Sequence, residues 1–171
     1  MTSAPIILTG FSGSGKSTVA AALGKTLNRT VIDLDDVLTS NTGRTPAEII
    51  EEDGENAFRE LETQFLRQVL NRSTAQVIAL GGGAWIQDRN RDLITRHGAV
   101  SVWLDAPFEL CWKRIAVLVN TRPLAKDRAG AQALFERRLP DYALARVRVR
   151  VTEDESVESI VNEIVGTLDG S

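Results

Sequence analysis

Three observations in the sequence predict an α/β fold with a parallel sheet. Short apolar runs recur along the chain, at residues 5–9, Thr30 to Asp33, Gln76 to Leu80 and Ala99 to Leu104. Each is the length of a strand rather than a helix. Helical patterns separate them, the alternation that covers a parallel sheet on both faces. The first run also leads straight into a glycine-rich loop and a helix, and ligands in such folds gather at the strands' carboxyl ends.

Taken in order, the first strand feeds a helix from about Ser17 to Leu27 with Val19, Ala20, Leu23 and Leu27 on one face. After the second strand, Thr42-Gly43 and Thr45-Pro46 divide the chain into short helices at about 35–40 and 46–53. Gly54 then precedes a longer helix at 55–72, whose core face is Phe58, Leu61, Phe65, Leu66 and Val69. The third strand runs into Gly81-Gly82-Gly83. A helix around 90–97 stops at Gly98 before the fourth strand. Pro107 opens the next helix, which is apolar through Ile115–Val119 until Asn120-Thr121-Arg122-Pro123 breaks it. Residues 125–132 read as an exposed polar stretch, and another helix runs to about Arg138. Val147, Val149 and Val151 alternate with Arg146, Arg148 and Arg150, the pattern of an edge strand with one wet face. A last helix at about 156–168 buries Val157, Ile160, Val161, Ile164 and Leu168.

At 171 residues and 43% hydrophobic content, the chain is expected to form one domain over 1–171. A net charge of -3 gives no basic field for nucleic acid or an anionic membrane, so neither is expected as a partner. No apolar run approaches a membrane span, and the single cysteine, Cys111, reads as a buried thiol. These features predict a cytoplasmic protein acting on a small molecule.

Gly10-Phe11-Ser12-Gly13-Ser14-Gly15-Lys16-Ser17-Thr18 has the glycine and lysine-serine spacing of a phosphate-binding loop, in the required strand–loop–helix setting. Its backbone N–H groups and the following helix would cradle an anion. Lys16 would reach the β- and γ-phosphates and the Ser17 hydroxyl would meet Mg²⁺. Asp33 and Asp35 can face one cavity, one on the Mg²⁺ side and one as a base; equally, they can simply start the next helix as cap and first-turn acid. Arg59, Arg122 and Arg138 each have a simple account as solvated surface charge. The triple glycine admits close backbone approach to a ligand. Trp85 reads as either pocket wall or core, and His97 as a helix-end residue.

These motifs in series, with Arg122-Pro123-Leu124 and Arg138-Leu139-Pro140-Asp141-Tyr142, resemble the shikimate kinase family over nearly the whole chain. The resemblance implies a three-layer P-loop fold with a five-stranded parallel sheet in the order 2-3-1-4-5 and a lid at about 117–130. It also implies transfer of the ATP γ-phosphate to the 3-hydroxyl of shikimate, with Mg²⁺, by a monomer. By the same resemblance Gly13, Ser14, Gly15, Lys16, Ser17 and Thr18 hold the nucleotide phosphates, with Arg114 on adenine and Arg122 folding from the lid. Ser17 and Asp33 serve the metal. Asp35 binds the shikimate hydroxyls and is the base; Arg59 and Arg138 grip the carboxylate beside Gly81, Gly82 and Gly83. The chain departs from the family's usual pattern at Thr39, at Ile50 and in the apolar Ala116–Val119. Two rivals remain at this stage: another P-loop small-molecule kinase, such as a gluconate kinase, and a catalytically silent nucleotide-binding relative.

Overall fold

A computed structural model describes residues 3–72, 76–117 and 127–170. Five parallel strands form its sheet: β1 (Ile6–Thr9), β2 (Thr30–Asp33), β3 (Gln76–Ala79), β4 (Val100–Asp105) and β5 (Val147–Arg150). Their spatial order is β2-β3-β1-β4-β5, as the resemblance implies. The register pairs Ile7 with Ile78 on one side and with Ser101 on the other. β1 and β3 are buried at every position, because both faces of the central strands are covered. β5 lies at one edge and buries only its valines; Arg148 points outward, pairs with Asp105 and lies over Trp103. β2 forms the other edge, with Thr30 and Val31 exposed.

The helices are α1 (Lys16–Leu27), α2 (Leu34–Thr42), α3 (Pro46–Asp53), α4 (Glu55–Arg72), α5 (Asp88–Arg96), α6 (Phe108–Ile115), α7 (Arg128–Tyr142) and α8 (Val157–Asp169). Side-chain caps set several of their starts. The Asp33 carboxylate caps α2, Thr45 and Glu48 form a reciprocal capping box at α3, and Asp127 and Ser156 cap α7 and α8. α1 ends where Asn28 adopts a left-handed conformation, φ 52°, and returns its N–H to Gly24 and Lys25. α1 and α8 pack together by one face of the sheet, while α4 packs against α2, α3 and α5.

Several sequence expectations are corrected. α5 begins at Asp88, two residues before the predicted start. α6 stops at Ile115 instead of running to Val119, and Val117 is exposed. Ile115 is the last residue of that run seen to face the core; residues 118–126, which hold Arg122 and most of the expected lid, lie outside the described residues. Within the stretch expected to be exposed, Arg128–Gln132 is the first turn of α7 and Ala131 is fully buried. Among the described residues no helix is long and apolar enough to cross a membrane.

α1 meets the sheet edge closely at Gly24. A Cβ there would sit 2.1 Å from the Val31 methyl and 3.1 Å from the Arg29 carbonyl oxygen. Gly24→Ala is therefore expected to lose about 1–2 kcal/mol in urea unfolding, overpacking outweighing the better helix propensity of alanine. An equal or higher unfolding midpoint would contradict this packing.

Candidate active site

The loop between β1 and α1 is built from close backbone contacts. Gly13 has φ 81°, and a Cβ on it would lie 2.7 Å from the Cys111 carbonyl oxygen at α6. No side chain caps α1 at Gly15. Its first-turn N–H groups are thus available to an anion, which the helix dipole also favours. Lys16 is buried, and its Nζ donates to the carbonyls of Gly10 (2.7 Å) and Phe11 (2.9 Å), so its ammonium is held over the loop.

Beside it, the Ser17 hydroxyl donates to Asp33 Oδ2 at 2.6 Å, while Asp33 Oδ1 accepts the Asp35 N–H at 3.0 Å. Asp33 caps α2, as one sequence reading had it, and its other carboxylate oxygen faces the phosphate loop. A serine hydroxyl joined to one carboxylate is the hard-oxygen donor set that Mg²⁺ takes together with phosphate oxygens and water, so these residues fit that ion. Arg114 reaches back across the loop and donates to the Gly13 carbonyl at 2.9 Å. A cavity of about 440 Å³ opens here, lined by Gly13 to Thr18, Asp33, Asp35 and Arg114. Its far wall includes Val151, Val157, Ile160 and Glu155.

A second cavity, of about 550 Å³, is lined by Asp35, Arg59, Arg138 and the triple glycine, with Thr39 and Ile50 also on its wall. Arg59 and Arg138 are each only 7% exposed, which overturns their reading as solvated surface charges. Arg59 pairs with Glu62 at 2.8 Å and Glu55 at 3.4 Å, and its guanidinium lies over the Phe58 ring. The glycines owe their identity to these neighbours. A Cβ on Gly81 would stand 2.9 Å from Asp35 Oδ1, one on Gly82 3.3 Å from Arg138 Nη1, and one on Gly83 2.3 Å from Arg59 Nη2. Gly81 and Gly83 admit a charged side chain against the backbone, and Gly82 admits the Ser12 hydroxyl, 3.1 Å from such a Cβ, as well as Arg138. The two cavities share Asp35, Gly81 and Gly82, so they meet at that carboxylate.

Sequence reasoning missed Glu62. It is fully buried on α4, and its Oε2 makes no hydrogen bond. Burial pushes its carboxyl up to about 7, outweighing the attraction of Arg59; the nearby Asp35 charge acts in the same direction as burial. A signal was present, because Arg59 and Glu62 are opposite charges three residues apart on the face that also carries Phe58, Phe65 and Leu66. Of the undecided residues, Trp85 is core, with its indole N–H on the Asp141 carbonyl at 2.8 Å. His97 ends α5 as expected, and Cys111 is buried with its thiol pushed up to about 11 by burial. Every described site residue predicted from sequence lines one of the two cavities; Arg122 lies outside the described residues.

The family profile described as shikimate kinase matches residues 12–169. A shikimate kinase of Lactococcus lactis is 43% identical over 161 residues, covering 93% of this chain and 94% of that one. Among solved structures, a shikimate kinase from Acinetobacter baumannii in complex with shikimate superposes with a TM-score of 0.90 at 30% identity, over 98% of this chain and 93% of the other. A gluconokinase from Sinorhizobium meliloti reaches a TM-score of 0.65 at 20% identity over 98% and 92% of the two chains, a likeness of fold alone. With a profile spanning nearly its whole length and a relative this similar, the chain belongs to the shikimate kinase family.

Proposed function

We propose that the chain transfers the γ-phosphate of ATP to the 3-hydroxyl of shikimate, giving shikimate 3-phosphate and ADP. The observation that carries this reading is the meeting of a phosphate-loop cavity and an arginine-lined cavity at one carboxylate, Asp35. Phosphoryl transfer asks a protein mainly for positioning and charge neutralisation, and this arrangement supplies both. The phosphate loop and Lys16 hold the triphosphate, Arg114 lies beside the nucleotide, and Arg122, outside the described residues, would add its charge to the phosphates as the family resemblance implies. In the other cavity Arg59 and Arg138 take the carboxylate of the acceptor, alongside the backbone of Gly81 to Gly83. That leaves the acceptor's hydroxyls toward Asp35, which accepts the proton of the attacking one.

Mg²⁺, held through Ser17 and Asp33, would neutralise the phosphate oxygens and orient the transferred group. In this reading a monomer is the working unit. A thiol-bearing, ATP-using enzyme of this kind fits the cytoplasm.

Glu62 sets the geometry of Arg59 at a cost in stability. Its folded-state carboxyl lies near 7 against an ordinary 4.5. The folded protein therefore binds more protons than the unfolded chain between those values, and stability falls as pH rises through that window. A shift of this size corresponds to about 3 kcal/mol.

The reading is tested by following ADP release with ATP, Mg²⁺ and either shikimate or gluconate. Turnover with shikimate is expected; strong turnover with gluconate and none with shikimate would overturn it. Asp35→Asn is expected to lower kcat by at least about a hundredfold while ATP binding stays nearly intact. Unchanged turnover removes Asp35 from the chemistry. For Glu62→Gln, unfolding free energies measured from pH 5 to 8 should show the unaltered protein losing up to about 3 kcal/mol relative to the variant. Parallel curves would mean that Glu62 does not titrate in this range.

A further inference from the structure

We propose that the Tyr142 hydroxyl is a positioning group that fixes the Gly82 peptide beside Arg138 in the carboxylate-binding wall, an inference that rests on the acceptor reading above. Tyr142 is fully buried near the end of α7, one helical turn after Arg138, so the two side chains leave the same face of the helix. Its phenol donates to the Gly82 carbonyl at 2.6 Å. The Arg138 guanidinium lies close enough for its charge to pull the phenol's pKa down against burial, and its Nη1 lies 3.3 Å from where a Gly82 Cβ would be. The phenol thus holds the Gly82 carbonyl at the point where the Arg138 guanidinium comes against that peptide. Burial pushes the phenol up to about 12, which keeps it a donor across the working pH range.

The effect on the loop follows from peptide geometry. The Gly81 carbonyl accepts the Ala84 N–H at 3.1 Å, which orients the peptide before Gly82. The bond from Tyr142 orients the peptide after it. With both flanking peptides held, Gly82 keeps little of the backbone freedom a glycine otherwise has. Docking of α7 on this loop does not depend on the hydroxyl. Trp85 Nε1 holds the Asp141 carbonyl at 2.8 Å, Arg91 bridges the Trp85 carbonyl at 2.7 Å to the Asp141 carboxylate at 3.3 Å, and the Tyr142 ring stacks on Trp103. Loss of the hydroxyl alone therefore loosens the site and leaves the fold in place.

Tyr142→Phe tests this. The variant is expected to raise KM for shikimate about tenfold, with kcat and KM for ATP within about twofold of the unaltered protein. With the methyl ester of shikimate, which lacks the carboxylate, the two proteins should have the same KM. Because Tyr142 is the one tyrosine of the chain, 3-fluorotyrosine incorporation gives a single fluorine resonance in the otherwise unaltered protein. That resonance should shift on adding shikimate and stay in place with an ATP analogue alone. An unchanged shikimate KM, an equal penalty for acid and ester, or a fluorine signal indifferent to shikimate would overturn the positioning role. Failure of the unaltered protein to turn over shikimate would instead overturn the acceptor reading.

Discussion

The approach of Asp35 to the backbone at Gly81 is the contact on which the site depends. A side chain on Gly81 would reach within 2.9 Å of that carboxylate, and the residues that line both cavities, among those described, are Asp35, Gly81 and Gly82. Phosphoryl transfer needs donor and acceptor within reacting distance in a shielded place, so a bulkier residue at the end of β3 would part the two halves of the chemistry. The parallel sheet brings this about. β1 and β3 are neighbours with Leu8 beside Ala79, so the phosphate loop and the triple glycine leave the sheet at the same level and the same end.

Charge is buried here at the expense of stability. Arg59 and Glu62 pair at 2.8 Å inside the core face of α4, and burial still outweighs that pairing at the Glu62 carboxyl. A buried ion pair rarely stabilises a fold more than apolar packing of the same volume would. What it gives instead is orientation: a guanidinium held between Glu62, Glu55 and the Phe58 ring has little rotamer freedom left to lose when it meets an anion. Arg138 is buried too, with its guanidinium over the Phe11 ring and its charge felt at Tyr142.

The phosphate loop was legible in the sequence because its chemistry is local. Glycine spacing, a preceding strand and a following helix lie within fourteen residues, Ile6 to Val19, and none of them needs a distant partner. The alternation of Val147, Val149 and Val151 with arginines likewise identified an edge strand, since pleat and burial act residue by residue. The ends of α5 and α6 were less legible. Nothing in the apolar letters Ile115 to Val119 says that α6 stops at Ile115 or that Val117 is exposed, because burial depends on what packs opposite.

By itself, the sequence determined the strand–loop–helix unit at the amino end, the alternation of strands and helices, and the set of charged residues available to a nucleotide kinase, all through local periodicity and backbone preference. Only the tertiary structure decided which of those charges work together. Asp35, Glu62, Arg59 and Arg138 come from α2, α4 and α7, and their convergence on the triple glycine depends on parallel strand order and helix packing. It also decided that Arg59 and Arg138 are buried rather than solvated, since the environment of an arginine is set by residues far from it in the chain.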